Sequence, residues 1–135
     1  VLDEACFEAF CMAPVKRIVE QVRAKYPEVP VIGFPKGAGA LYGRYRRETG
    51  VTALGLDWTV PLDTARTYQQ DGAVQGNLDP LRLVAGGRAL EEGVKAILES
   101  LGGGPLVFNL GHGIPPETPI AHVEAMVRQV REAVR

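Results

Sequence analysis

Four short apolar segments alternate with stretches of helical periodicity along this chain, and this alternation constrains its fold more than any other feature. The apolar segments are residues 29–34, 51–56, 73–75 and 106–110. Short apolar strands that are separated by helices are typical of a parallel sheet covered by those helices. The sequence therefore predicts an α/β fold with four parallel strands.

Helical patterns fill the intervals between the strands. A helix is predicted over residues 3–13, and Pro14 either breaks it or begins the next helix. Gly50 is expected to cap a helix over 38–49, and Asp79-Pro80 to open another. The remaining predicted helices cover residues 15–26, 61–70 and 88–101, and a last helix begins at Thr118. The first of them has a buried stripe of Val15, Ile18, Val19 and Val22. The last has a buried stripe of Ile120, Val123, Met126, Val127, Val130 and Val134.

The length of the chain limits the architectures that are open to it. With 135 residues and 46% hydrophobic composition, it is sufficient for one domain and too short for two ordinary ones. A closed (β/α) barrel of eight strands needs at least about 200 residues. Four such units would make half of a barrel, and a small open α/β sheet is the alternative. The sequence begins at Val1 without an initiating Met, which suggests a piece of a longer protein.

Composition argues against several classes of function. A net charge of −1 and a pI near 6.2 give no electrostatic reason to expect nucleic acid or an anionic membrane as a partner. No apolar run approaches the roughly 20 residues of a membrane span. Cys6 and Cys11 lack metal-ligand spacing and fit thiols in a reducing cytosol. We expect neither a metal site nor a covalent nucleophile within this segment.

Polar clusters follow the predicted strands, and His112 is the most distinctive of their members. The clusters are residues 35–37, 57–58, 75–79 and 109–112. Because parallel strands share one carboxyl edge, where α/β folds place their chemistry, the clusters are expected to meet there. His112 stands between Gly111 and Gly113, which allow a sharp turn and the close approach of a ligand. This context favours a functional role for the imidazole.

The other candidates have structural interpretations that compete with a functional one. Lys36 fits a solvated loop charge as well as a ligand contact, and Gln75 and Asn77 fit loop anchors as well as substrate contacts. Structural roles are favoured for the rest: Asp57 as a cap of the following helix or the partner of a neighbouring residue, Trp58 in packing, Asp79 as a helix cap, and His122, Arg44, Arg46 and Arg47 as solvated side chains.

Three motifs, taken together, resemble a known family. Gly55-Leu56-Asp57-Trp58, Gln75-Gly76-Asn77-Leu78-Asp79-Pro80 and Asn109-Leu110-Gly111-His112-Gly113-Ile114 resemble, in order and spacing, the C-terminal half of the uroporphyrinogen decarboxylase family. The helical region at residues 3–26 and the strand with Phe34 and Lys36 also fit. The resemblance covers essentially residues 1–135, and it is the combination of motifs that makes it specific.

The resemblance implies a fold, a reaction and a site. The fold would be a (β/α)8 TIM barrel, with this chain as its C-terminal half, in a cytoplasmic homodimer. The family removes CO2 from the four acetate arms of uroporphyrinogen III and forms coproporphyrinogen III, a step in haem and tetrapyrrole biosynthesis, with no metal or organic cofactor. His112 matches the family's histidine and would contact substrate carboxylates, with Gln75 and Asn77 as further substrate-binding residues. The family's central carboxylate, substrate-binding arginines and serine loop belong to the other half, so no catalytic residue is expected here.

Two alternatives remain open at this point. A corrinoid-dependent methyltransferase of the related barrel superfamily would use zinc-binding His and Cys residues, and this sequence has no His-x-Cys pair. A non-catalytic half-barrel would pair with another half through its exposed sheet edges.

Overall fold

The strands form one parallel sheet in the order β1-β2-β3-β4 in a computed structural model, which describes residues 2–133. The strands are β1 Ile32–Gly33, β2 Ala53–Gly55, β3 Val74–Leu78 and β4 Leu106–Leu110. Gly33 is paired with Leu54, Gly55 with Gln75, and Gln75 with Val107, all in parallel register. The prediction of an α/β fold with four parallel strands is therefore confirmed.

The helices follow the predicted alternation. They are α1 Glu4–Phe7, a π-helical turn at Glu8–Met12, α2 Ala13–Lys25, a 3-10 turn at Gly39–Leu41, α3 Tyr42–Thr49, α4 Leu62–Gln70, α5 Pro80–Ala85, α6 Gly87–Leu101 and α7 Ile120–Ala133. Pro14 is at the start of α2, directly after the π-helical turn, so it begins the next helix, as one of the two predicted outcomes had it, and the helical segment from Glu4 continues through it. Within residues 2–133, none of the helices is both long enough and apolar enough to cross a membrane.

Two predicted caps are confirmed. Gly50 ends α3 in the left-handed conformation, with φ 72° and ψ 19°, which glycine adopts at little cost. Asp79 precedes Pro80, and its Oδ1 accepts a hydrogen bond of 2.9 Å from the backbone N–H of Leu81. The cap holds the start of α5 directly behind the end of β3.

The extent of β3 differs from the prediction. The sequence predicts a strand over residues 73–75, whereas the observed strand continues to Leu78. Gly76, Asn77 and Leu78 pair with residues 108–110 of β4, so the neighbouring strand extends β3 through residues that are polar in sequence. Gln75 and Asn77 therefore lie on the strand rather than after it.

One face of the sheet is packed and the other is uncovered within the described residues. Leu54 and Val74, which are paired in register, are fully buried beneath the helices. Ile32 on β1 and Val107 on β4 are instead 43% and 45% exposed. A doubly wound sheet carries helices on both faces and has a reversal in strand order. Consecutive strand order with one uncovered face is the arrangement of barrel strands, whose second face points to the barrel interior.

The apolar stripes predicted for two helices are partly wrong. Ile18 on α2 is 56% exposed although Val19 is fully buried, and Ile120 and Val127 on α7 are exposed. Each helix contacts its neighbours along a narrower stripe than its apolar residues span, and Ile120 precedes the packed part of α7. Val134 lies outside the described residues. Of the predicted stripe on α7, Val123, Met126 and Val130 do pack against the core.

Two arginines that were expected to be solvated have partners. Arg44 forms ion pairs of 2.6–2.7 Å with Glu4, Glu8 and Glu48. The prediction is wrong because α3 lies against the start of the chain, which brings Glu4 and Glu8 to Arg44, and because Glu48 follows Arg44 by one helical turn on α3. Arg46 donates to two backbone carbonyls, at 2.8 Å to Thr52 and 3.2 Å to Tyr68, whereas Arg47 is exposed as predicted.

His122 was also expected to be solvated, and this prediction is wrong. Its ring is half-buried, and Nδ1 lies 3.0 Å from the carbonyl oxygen of Leu83. The contact links α7 to α5, the helix that starts directly behind β3. His122 thus serves the docking of α7.

Candidate functional site

The polar clusters at the strand ends meet around His112. The backbone N–H of Gly37 donates to Asp57 Oδ2 at 2.7 Å, which joins the loop after β1 to the loop after β2. Lys36 Nζ lies 5.2 Å from the ring centroid of Trp58. The Trp58 ring lies 6.1 Å from the ring of His112. The carboxyl edge of the sheet therefore brings the predicted residues of three loops together.

Two aromatic rings flank the imidazole of His112. Its centroid lies 6.3 Å from that of Phe34 and 6.1 Å from that of Trp58, with interplanar angles of 66° and 79°. Both arrangements are edge-to-face contacts of the kind that aromatic pairs favour. His112 nevertheless remains exposed. The ring therefore has aromatic neighbours on two sides and remains exposed between them.

Gly111 allows the end of β4 to approach the loop after β2. Its N–H donates to the carbonyl oxygen of Leu78 at 2.8 Å, which continues the pairing with β3. A Cβ atom at this position would lie 2.3 Å from the backbone nitrogen of Trp58. Only glycine fits here without a backbone shift, and the close approach places His112 beside the Trp58 ring.

Asp57 is a buried anchor of these loops. Its side chain accepts hydrogen bonds from the N–H of Gly37, the hydroxyl of Tyr42 at 2.9 Å, and both the N–H and the hydroxyl of Thr59. The carboxyl is almost completely buried, which by itself raises its pKa. The hydrogen bonds from Thr59, Gly37 and Tyr42 outweigh burial and hold the pKa below its usual value. Its contacts are those of an ionised structural group. Asp57 therefore pairs with neighbouring groups, as one of the two structural interpretations predicted, but it does not cap the following helix, whose N-cap is Pro61.

The hydrogen bond to Asp57 also affects the pKa of the Tyr42 hydroxyl. Burial, together with the neighbouring Asp57 carboxylate, raises the pKa of Tyr42 well above its usual value. The hydroxyl therefore remains protonated and continues to donate to Asp57 at neutral pH.

Asn77 holds the loop after β2 from the side of β3. Its Nδ2 donates to the carbonyl oxygens of Asp57 at 3.1 Å and Val60 at 2.9 Å. The side chain is buried, and its Oδ1 has no hydrogen-bond partner among the described residues. Asn77 thereby fixes the loop that carries Trp58, which agrees with the interpretation of this residue as a loop anchor. Its predicted direct contact with substrate stays a prediction.

Two cavities adjoin His112, one on each side of its loop. The inner cavity has a volume of about 390 Å³, opens toward the uncovered face of the sheet, and is lined by Phe34, Gly55, Gln75, Asn109, His112 and Met126 among others. The outer cavity has a volume of about 560 Å³, and its lining includes Lys36, Trp58, Pro80, Leu81, His112 and Ile114. The structure thus brings His112 and Gln75 to one cavity. Asn77 lines a different cavity, together with Val60 and Leu62.

Sequence reasoning missed several of these contacts. Thr59 could have been found, because a hydroxyl residue two positions after an aspartate is typical of a local turn with side-chain hydrogen bonds. Phe34 was read only as an apolar strand residue, and no local pattern points to Tyr42 as a partner of Asp57. Both contacts join residues that are distant along the chain.

The described residues contain no group of three or more His, Cys, Asp or Glu side chains that is arranged to hold a metal ion. Cys6 and Cys11 are half-buried free thiols at the start of the chain. Neither lines the two cavities beside His112.

Comparison with known proteins gives one consistent family. The family model described as uroporphyrinogen decarboxylase (URO-D) matches residues 1–133. The chain is 70% identical over 135 residues to the uroporphyrinogen decarboxylase of Mesorhizobium japonicum, covering 100% of this chain and 39% of the relative. It is 67% identical to that of a Chelativorans species over 98% of the chain, and 65% identical to that of Brucella anthropi over 97%. These two matches cover 39% and 38% of the relatives.

The chain spans about 39% of the length of the curated relatives that it matches. Within that span, the motifs that suggested the resemblance lie where the strand ends of the sheet converge. Because the family model matches nearly the whole chain, this chain belongs to the uroporphyrinogen decarboxylase family.

Proposed function

We propose that this chain forms one wall of the active site of a uroporphyrinogen decarboxylase. The full-length enzyme would remove CO2 from the four acetate arms of uroporphyrinogen III and yield coproporphyrinogen III, without a metal or organic cofactor. The observation that carries the proposal is the position of His112, which is accessible between Phe34 and Trp58 at the carboxyl edge of a parallel sheet. Family membership supplies the reaction.

The reaction requires groups that bind carboxylates and stabilise charge. Protonation of a pyrrole carbon makes the ring an electron sink. The bond from the arm to its carboxylate carbon then breaks, its electron pair moves into the ring, and CO2 leaves. A proton then adds to the exocyclic carbon, which becomes a methyl group, and the proton on the ring carbon is released to restore the pyrrole. Donors aimed at the carboxylates and at the developing charge lower the barrier of such a step.

His112 and Gln75 are suited to this binding role. Both line the inner cavity, and an imidazole N–H and a side-chain amide are donors for carboxylate oxygens. Asn77 would support them indirectly, because it donates to the carbonyl oxygens of Asp57 and Val60 and so holds the loop after β2. The groups that act on the pyrrole ring itself are assigned to the remaining part of the enzyme.

The uncovered face of the sheet supports a site inside a barrel. The family fold is a TIM barrel, and this chain covers a part of it. Ile32, Phe34 and Val107 are exposed on the face that carries Gln75. The remaining strands of the full-length enzyme would cover these side chains and close the cavity around the tetrapyrrole. The full-length enzyme is further proposed to be a cytoplasmic homodimer.

Replacement of His112 tests the proposal. In the full-length enzyme, His112→Ala should lower kcat/KM for uroporphyrinogen by about 10- to 100-fold, the effect of losing a hydrogen bond to a charged group. The matched control is His122→Asn, which alters the second histidine, at the contact between α5 and α7. Kinetics of His112→Ala that equal the wild type would refute the role of His112. Stoichiometric zinc in the active enzyme would favour the corrinoid-dependent methyltransferase instead.

A further inference from the structure

Lys36 is a cation at the site that the proposed mechanism does not use. It follows β1 in the same loop as Phe34, whose ring packs against one side of His112. Its ammonium lies over the ring of Trp58, which packs against another side of His112. The loop after β1 therefore contributes an aromatic ring to the inner cavity and a positive charge to the outer one.

The charge of Lys36 has no carboxylate partner within 4 Å in residues 2–133. Two carboxylates belong to the neighbouring loops, and both have other partners. Asp57 is hydrogen-bonded to Gly37, Tyr42 and Thr59, and Asp79, which also lines the outer cavity, caps α5. The Trp58 ring holds the exposed ammonium by a cation–π contact without neutralising it.

The walls of the outer cavity are largely apolar. Pro80, Leu81, Ile114, Pro115 and Pro116 contribute to them, and Leu81 is 67% exposed. A pocket with apolar walls and a cation at one side suits a short hydrocarbon stem that ends in an anion. The carboxylate-bearing arms of a tetrapyrrole have this structure.

We propose that the outer cavity is a subsite for a carboxylate arm of the tetrapyrrole, with the ammonium of Lys36 as its charge partner. This inference rests on the proposed function and adds a substrate-binding residue to it. Because His112 lines both cavities, an arm held at the inner cavity and a second arm on the same macrocycle reach the two sides of one loop. Lysine suits this task because its flexible stem can follow each arm in turn.

The test is the substitution Lys36→Met in the full-length enzyme, with Lys36→Arg as the conservative variant. Methionine keeps an unbranched side chain of similar length and removes the charge. We expect Lys36→Met to raise KM for uroporphyrinogen about fivefold to tenfold, as the loss of a partly exposed charge-assisted contact should, with kcat changed less than about twofold. Added salt should raise KM less in this variant than in the wild type. Lys36→Arg should restore KM to near the wild-type value.

Lys25→Met is the matched control. Lys25 Nζ lies 5.4 Å from the ring of Tyr26, so it is a second exposed lysine over an aromatic ring, but at the end of α2 and outside both cavities. Its KM and salt dependence should equal those of the wild type. The urea midpoint of Lys36→Met should fall only slightly, because the ammonium contributes one exposed cation–π contact with Trp58.

The possible results separate this inference from the proposed function. A wild-type KM in Lys36→Met, in an enzyme whose His112→Ala variant is impaired, overturns the subsite and leaves the decarboxylase intact. A loss of kcat at constant KM that Lys36→Arg does not restore also overturns it. Absence of decarboxylase activity in the wild-type enzyme overturns both.

Discussion

The two glycines that flank His112 have different surroundings, so alanine should have opposite effects at the two positions. A Cβ atom on Gly111 would lie 2.3 Å from the nitrogen of Trp58 and 2.9 Å from the carbonyl carbon of Asp57. A Cβ atom on Gly113 would have no neighbour within 4 Å. Because the nearest atoms to Gly111 belong to the backbone, no side-chain rotation can make room.

The magnitude follows from the displacement that Gly111→Ala requires. Optimal separation of carbon atoms is about 3.5–4.0 Å, so the loop or the end of β4 must move by roughly 1 Å. The loop resists this movement because Asp57 is hydrogen-bonded to Gly37 and its carbonyl oxygen accepts from Asn77. Overpacking of this kind costs about 1–3 kcal/mol. At Gly113, alanine restricts the unfolded chain and should change stability by between zero and a gain of about 1 kcal/mol.

Urea unfolding of the full-length enzyme, followed by circular dichroism, measures both variants. Gly111→Ala should lower the midpoint and Gly113→Ala should leave it unchanged or raise it. Gly111→Ala should also raise KM, since the shift separates His112 from Trp58. Equal midpoints for the two variants, or a larger loss in Gly113→Ala, would refute the reasoning from close approach.

Three further predictions concern an anchor of the site, an ion-pair cluster on α3 away from the site, and a side chain that lines the inner cavity. Asp57→Asn should cost about 1–3 kcal/mol of unfolding free energy, because the amide N–H of asparagine would face the N–H and O–H groups that now donate to the carboxylate. Burial would raise the pKa of Asp57, but its hydrogen bonds hold that pKa below the usual 3.8. The contribution of Asp57 to stability is therefore present above pH 3.8 and is lost as the pH falls. Urea midpoints measured against pH should show this loss in the wild type and not in the variant. Arg44→Met should lower the free energy of unfolding slightly more than Arg47→Met does, because Arg44 forms three ion pairs. The difference should shrink in high salt, since these ion pairs are largely exposed and therefore screened. Gln75→Ala should raise KM about fivefold, whereas Gln129→Ala on α7 should leave KM unchanged; a wild-type KM in both would remove Gln75 from the site.

Local patterns were sufficient to predict the architecture but not the contacts between distant elements. The alternation of apolar strands and helical stripes repeats within short windows, so strand number and parallel direction follow from it. The polar half of β3 could not be predicted this way, because Asn77 is on the strand only through its pairing with Asn109. Glu4 and Glu8 as partners of Arg44, and Leu83 as the partner of His122, were missed for the same reason, since they lie 36–40 residues away in sequence. The pair of Arg44 with Glu48, four residues further along α3, could have been found from its spacing.

The position of His112 was predictable and its surroundings were not, for a related reason. An apolar strand that runs into Gly-His-Gly places the imidazole at the sheet edge by local geometry alone. The rings of Phe34 and Trp58 reach it only because β1 and β2 end at the same edge. Strand order therefore converts separate loop residues into one site.

The anchors of this site all join neighbouring strands within the chain. Asp57 connects the loops after β1 and β2, Asn77 connects β3 to the loop after β2, and Gly111 connects the end of β4 to β3 and brings it against Trp58. Each of these hydrogen bonds links adjacent segments of the observed sheet, and the contact of Gly111 with Trp58 reaches across β3 to the loop after β2. This part of the barrel consequently sets the orientation of His112. The remaining strands of the full-length enzyme have to supply the groups opposite the imidazole, but they are not needed to position it.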